Sequence, residues 1–157
     1  MERDVKTLIT GAVAALALSA TSALACTNWE LPPSYGDVTL AAGFMPDPHT
    51  LDMAAGGPIN LSTCTEEPGI GFISEAPDYD LYWEGNGTLT IAFESDEDTV
   101  LLVNGQQWEW YYNDDYKGLN PAIVIENAPA GLYDIWVGTI TEGSYPNGTL
   151  IITELPY

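Results

Sequence analysis

Beyond residue 26 no stretch of this chain sustains a 3.6-residue apolar period, and that confines it to an all-β fold. Leu89, Ile91 and Phe93 alternate with Thr88, Thr90 and Ala92. Tyr79, Leu81 and Trp83 alternate with Asp78, Asp80 and Tyr82, and Tyr133, Ile135 and Val137 with Asp134 and Trp136. A period of two places one set on each face of a strand. Thr99–Val103, Ala122–Ile125 and Thr149–Thr153 are short aliphatic or β-branched runs and read as inner strands. Val38–Ala42 and Thr50–Met53 are weaker strand candidates.

Turn chemistry divides these runs. Asn86-Gly87, Asn104-Gly105 and Asn147-Gly148 are dipeptides suited to tight turns with positive φ. Gly56-Gly57-Pro58, Pro68-Gly69, Pro129-Ala130-Gly131 and Pro146 break the pattern elsewhere. Short strands at close spacing, with 11 Pro and 15 Gly, predict a single β-sandwich or jelly-roll-like domain over residues 26–157. Asn28–Tyr35 is expected to be a loosely held arm. Asn86-Gly87-Thr88, Asn147-Gly148-Thr149 and Asn60-Leu61-Ser62 match the glycosylation sequon, but the first two already have a turn role, and all three are read as turns.

Residues 1–25 read as a cleaved, bacterial-type signal peptide. Arg3 and Lys6 precede the apolar Leu8–Leu18, and Ala23-Leu24-Ala25 fits a small-x-small cleavage site. The apolar run is shorter than the ~20 residues a bilayer span needs. The expected destination is the periplasm or the exterior. Cys26 then becomes the first mature residue. A lipoprotein signal wants a large aliphatic residue where Ala23 stands, so lipidation is disfavoured. Cys26 and Cys64 are the two cysteines, and an even count in an exported chain favours a disulfide. Closing a loop of roughly 38 residues restricts the unfolded chain and would stabilise the fold by ~3–4 kcal/mol.

Charge excludes whole classes of partner. The chain has 3 basic and 23 acidic residues, a net charge of −20. The leader's four charges cancel, so residues 26–157 keep the whole −20 with one base, Lys117. Nucleic-acid binding needs Lys and Arg to displace counterions, and charge-driven docking on anionic lipid needs the same. A hydrophobic content of 46% with 11% aromatics excludes a disordered acidic tail.

Catalytic motifs are sparse. His49 is the one histidine and is expected in an exposed loop. No G-x-S-x-G occurs, and Ser34, Ser62, Ser74, Ser95 and Ser144 lack a nucleophile-like setting. A lone histidine beside proline is a poor start for zinc. The expectation is a protein without catalytic residues.

The acids cluster in two turns. Glu94-Ser95-Asp96-Glu97-Asp98 enters Thr99–Val103, and Asn113-Asp114-Asp115 follows the aromatic run Trp108–Tyr112. Calcium takes about 6–8 oxygen ligands, which sandwich loops can supply from separate segments. The competing reading is a solvated acidic edge that guards strands from pairing. Trp108, Trp110, Tyr111 and Tyr112 offer either a strip for stacking on sugar rings or a strand whose alternate aromatics fill the core.

Asp96-Glu97-Asp98-Thr99-Val100-Leu101-Leu102-Val103-Asn104-Gly105, then Trp110, then Asn113-Asp114-Asp115 resemble the bacterial pre-peptidase C-terminal domain. Gly118-Leu119-Asn120-Pro121-Ala122-Ile123-Val124 and Ala130-Gly131-Leu132-Tyr133-Asp134-Ile135-Trp136-Val137 continue the likeness, as does the upstream Ala76-Pro77-Asp78-Tyr79-Asp80-Leu81-Tyr82. The resemblance spans about residues 70–153. It implies a non-catalytic β-sandwich of the kind that accompanies secreted serine peptidases and other hydrolases, aiding secretion or substrate attachment, with calcium bound in related modules. Carried over by position, Asp96, Asp98, Asn113, Asp114 and Asp115 become the ligands, with Asn104 and Asp134 as further candidates. This sequence shows the module without a peptidase domain. The expected role is therefore an exported calcium-binding module acting on a secreted peptidase, an envelope protein or a polysaccharide. The alternatives are a carbohydrate- or envelope-polymer-binding module using Trp108–Tyr112, and a peptidase-associated or serine-peptidase-like hydrolase.

Overall fold

The computed structural model describes residues 26–157, and the expected leader lies outside the described residues. The strands in chain order are β1 (Asp37–Ala41), β2 (His49–Ala54), β3 (Ile59–Asn60), β4 (Phe72–Ile73), β5 (Tyr79–Glu84), β6 (Leu89–Ser95), β7 (Thr99–Asn104), β8 (Trp110–Asn113), β9 (Ala122–Ile125), β10 (Gly131–Thr139) and β11 (Asn147–Thr153). Two 3₁₀ turns, Leu61–Thr63 and Gln106–Trp108, complete the described structure, which holds no α-helix. The all-β expectation is met.

Two sheets face each other. Sheet A has seven strands: β1, β5, β10, β4 and β3 lie side by side, and β7 and β8 extend from the other edge of β10. Sheet B has four, in the order β2-β11-β6-β9. The β1–β5 pair is parallel and the other pairs are antiparallel.

The period-two alternation decides what lies between the sheets. Leu81, Trp83, Leu101, Tyr133 and Ile135 from sheet A meet Leu89, Ile91, Phe93, Leu150 and Ile152 from sheet B in one buried core. Each large side chain removed from water contributes at most ~1.5–3 kcal/mol. Residues of opposite parity on sheet A build a second, smaller core on its outer face. Leu61, Ile73, Val100, Leu102 and Trp136 are buried there, with Cys64, Trp110 and Tyr112 packed against them. The 3₁₀ turn and the disulfide segment form the roof. Cys26 and Cys64 are bonded, with Cα atoms 5.7 Å apart. The bond engages the sulfur that lipidation would have needed.

Asp78 explains how β10 changes partners. β10 pairs with β5 as far as Ile135 and meets β4 at Thr139. Between these points Val137 N–H has no strand opposite it and donates to Asp78 Oδ2 at 2.8 Å. Ser74 Oγ donates to the other oxygen at 3.3 Å. The carboxylate substitutes for a missing ladder rung, as a buried N–H requires.

Three expectations fail. Asn147-Gly148 lies inside β11, and Asn86-Gly87 joins strands of different sheets rather than a hairpin. Asn104-Gly105 leads into a 3₁₀ turn with Gly105 at φ −106°. Gly148 is needed for close approach: a Cβ there would lie 2.4 Å from the carbonyl oxygen of Glu94. Residues 28–35 are no loose arm. Asn28 N–H donates to Glu75 O at 2.8 Å, Ser34 N–H to Pro77 O at 2.9 Å and Tyr35 N–H to Asp78 O at 2.8 Å. His49 opens β2, half-buried, with Nε2 3.1 Å from Tyr79 OH and the two rings stacked.

Candidate functional site

The outer face of sheet A carries a row of polar residues beside its second core. Strand register aligns Asp37 with Asp80, Asp80 with Asp134, Asp134 with Asn104, and Asn104 with Trp110. Register partners share a face. Asp37 is exposed at the edge, whereas Asp80, Asp134 and Asn104 are only 7%, 4% and 3% exposed. Asp80 Oδ1, Asp134 Oδ1 and Asn104 Nδ2 have no hydrogen-bond partner. A buried polar atom left so costs about 1–3 kcal/mol.

The two carboxyls restrain each other. Burial, then the charge and hydrogen bond of Asp80, push Asp134 up to about 7. Burial raises Asp80 to about 6, with its bond to Asp134 opposing and Asp37 adding repulsion. Two carboxylates can only accept, so side by side they repel, and a proton is held more tightly there than by an isolated acid.

Tryptophans wall this row. Trp29 lies 5.5 Å from Trp108 and 6.5 Å from Trp110 between ring centroids, at interplanar angles of 54° and 64°. Trp110 leans on the fully buried Trp136 at 5.7 Å. Trp29, Glu66, Asn104, Trp108 and Trp110 enclose a hollow of about 260 Å³. An adjoining hollow of about 360 Å³ reaches Gln106, Leu132 and Asp134.

Local structure holds these walls in place. Trp29 is fixed by the disulfide three residues before it and by the Asn28–Glu75 hydrogen bond. Trp108 ends the 3₁₀ turn, where Gln107 and Trp108 both have left-handed backbone, φ 62° and 63°. For residues other than glycine this costs about 1–2 kcal/mol each. Gln106 Nε2 donates to Leu132 O at 3.0 Å and anchors the turn. Its amide fits only because residue 131 is glycine, where a Cβ would lie 2.0 Å from Gln106 Nε2. The turn leaves Trp108 70% exposed.

The aromatic run therefore divides. Trp108 and Trp110 face the cleft. Tyr112 packs on the second core and donates from its hydroxyl to Ile70 O at 3.1 Å. Tyr111 packs on the main core and donates to Glu109 at 2.7 Å.

The seven acid and amide positions expected to bind metal also divide. Leu101 pairs with Asn113, which brings the start of β7 beside the end of β8. Asp98 thus faces Asp115 and Asp114, and partial burial followed by their charges raises its carboxyl above the usual range. Asn113 Oδ1 accepts from Ala122 N–H at 3.0 Å and ties β8 to β9. Asp96 borders a separate hollow with Asn120 and Asn147. Asn104 and Asp134 sit at the opposite end of β7, in the tryptophan cleft. Among the described residues, the one group of three acidic, histidine or cysteine ligand atoms within 4.8 Å of one another is Cys26, Cys64 and Glu67. Its sulfurs belong to the disulfide, and Glu67 Oε1 accepts from Thr27 N–H and Oγ1 at 3.1 and 2.6 Å. Asp98, Asp114 and Asp115 supply hard oxygen donors suited to calcium, spaced more widely than that.

No family model matches the chain, and no curated protein matches it. Among solved structures it is similar to the pre-peptidase C-terminal domain of collagenase from Bacillus anthracis. That match has a TM-score of 0.45 and 11% identity, and covers 78% of this chain and 98% of that one. It is also similar to a periplasmic inhibitor of g-type lysozyme from Aeromonas hydrophila, with a TM-score of 0.45, 14% identity, and coverage of 75% and 96%.

Trp29, Glu66, Asp80 and Gln106 escaped the sequence reading. One signal was present for Asp80. It alternates with Tyr79 and Leu81 as Asp134 does with Tyr133 and Ile135, so pairing those strands puts two acids on one face. Trp29 gave none, because its tryptophan neighbours are 79 and more residues distant along the chain and meet it only through the fold.

Proposed function

We propose that this protein is an exported, non-catalytic β-sandwich module that acts by binding, and that the cleft between Trp29, Trp108 and Trp110 is its ligand site. The observation that carries this reading is the cleft's floor. Asn104 Nδ2 and Asp134 Oδ1 are buried without partners beneath aromatic walls, and a ligand able to pair with both would recover their hydrogen bonds. The strained backbone that presents Trp108 supports it, since such strain gathers at binding sites. The disulfide supports export to an oxidising compartment. The test is titration with soluble envelope polysaccharides and their fragments, followed by tryptophan fluorescence. Trp108→Ala should weaken the responding ligand by about tenfold, ~1.4 kcal/mol, with the melting temperature unchanged. A ligand that binds the variant equally well sits elsewhere.

A second reading concerns the acidic turns. Asp98 feels Asp114 and Asp115 across two separate segments, and Ca²⁺ there would relieve that repulsion and draw the turns together. The ion would be structural, steadying the end of the sandwich remote from the cleft. Millimolar Ca²⁺ added to EDTA-stripped protein should raise the melting temperature by several degrees. An unchanged melting temperature would remove the ion from this account.

A further inference from the structure

The cleft is unusual in what it lacks. Residues 26–157 hold one base, Lys117, against a net charge of −20. Lys117 is occupied elsewhere, with Nζ 3.6 Å above the centroid of Tyr157's ring. No lysine or arginine side chain of the described residues therefore faces the three tryptophans. Acids do: Glu66 stands at the rim and Asp134 at the floor. The faces of indole rings are the negative poles of their quadrupoles. Trp29 is tilted by 54° and 64° to the other two, so the three rings line the hollow in different planes.

We propose that the cleft takes an organic cation, a small ammonium alcohol of choline size, whose ammonium head seats among Trp29, Trp108 and Trp110 beside Glu66. The proposal rests on the cleft being the ligand site and names what enters it.

Three observations converge on this chemistry. The walls and acids favour positive charge, and a concave site in so acidic a molecule concentrates cations before any contact is made. The hollow of about 260 Å³ between the tryptophans suits a compact head group, and the adjoining hollow of about 360 Å³ leads from it to Asp134. The floor then asks for a second function. Asn104 Nδ2 is a buried donor without an acceptor, and Asp134 Oδ1 beside it is an acceptor without a donor. A hydroxyl near the ammonium satisfies both, accepting from the amide and donating to the carboxyl. A bare alkylammonium would leave Asn104 unpaired, and an anionic ligand would meet Glu66 and Asp134.

The test is calorimetric titration of the purified protein with choline, 3,3-dimethylbutan-1-ol (its uncharged isostere), a neutral glucan oligomer, and phosphatidylcholine vesicles. Choline is expected to bind, and the isostere to bind at least about tenfold more weakly. Glu66→Gln should weaken choline about threefold and Trp108→Ala about tenfold. Both positions are exposed, and unchanged melting curves would confirm folding. In phosphatidylcholine the choline oxygen is esterified to an anionic phosphate and has no proton to donate, so the vesicles are expected not to bind, and vesicle binding as tight as that of choline overturns the role given to the hydroxyl. Equal binding of choline and its isostere overturns the claim of a cation site. Binding of the glucan alone overturns it too, while leaving the cleft as a ligand site. Silence of every probe, with Trp108→Ala indifferent to envelope fragments, ends both.

Discussion

Asp98, Asp114 and Asp115 stand in turns at one end of β7, whereas Asp80 and Asp134 stand in neighbouring strands near its other end. The first set is dense in the sequence and partly or wholly open to water. The second is sparse, one acid per strand, and nearly sealed. Water screens the turn acids, so their crowding has small consequences. Burial makes each strand acid expensive unless it is bonded, shared or protonated. Asp78 is bonded, and burial still pushes it up to about 7. Asp80 and Asp134 crowd each other, and burial raises both, to about 6 and about 7. Density along the chain is therefore a poor guide to which acids matter, and the isolated acid in an apolar strand is a better one.

The contrast can be broken most forcefully at Asp78. Asp78→Ala should cost about 2–3 kcal/mol in urea unfolding, because Val137 N–H is left buried without an acceptor. Asp78→Asn keeps an acceptor and should recover most of the loss. A cost below ~0.5 kcal/mol for the alanine variant would show that the rung is not needed.

Asp134 should respond in the opposite direction. Burial, then the Asp80 carboxyl, pushes Asp134 up to about 7 from the ordinary 3.8, and burial raises Asp80 and Asp78 too. Between pH 4 and 7 the folded state thus binds more protons than the unfolded chain, so unfolding free energy falls as pH rises through this window. Asp134→Asn has no proton to lose, and its amide can donate to Asp80. It should stabilise the fold at pH 8 by about 1–3 kcal/mol and flatten the pH slope. Denaturant melts at pH 5 and pH 8 decide this, and a variant as pH-sensitive as the parent would refute the raised Asp134 carboxyl.

The smallest effect belongs to the turns. Without calcium, Asp98→Asn should change stability by no more than ~0.5 kcal/mol, towards stabilisation because repulsion with Asp114 and Asp115 is relieved. With calcium, the same variant should lose the ion-dependent rise in melting temperature. A large destabilisation of the metal-free variant would erase the distinction between the two sets of acids.

How much was legible follows from the range of each interaction. Alternation is local, and Tyr79–Trp83 and Leu89–Phe93 became strands as written, each with its apolar set inward. The disulfide needed only two cysteines and the expectation of export. The Asn-Gly dipeptides misled because a glycine satisfies two demands, positive φ and close approach, that look the same in sequence. Gly148 meets the second, under the backbone of Glu94. The aromatic run was read as strip or core, and alternation made it both, since Tyr111 and Trp110 point to opposite faces.

The sequence by itself determined a β-sandwich with a negative surface, because side-chain period and net charge need no partner to act. Only the tertiary structure decided where a ligand could go. It set Asp80 beside Asp134, put Asn104 next to them, and brought Trp29 over Trp108 and Trp110. Those meetings are fixed by strand order and register, which arise when the whole core packs and are written in no single segment.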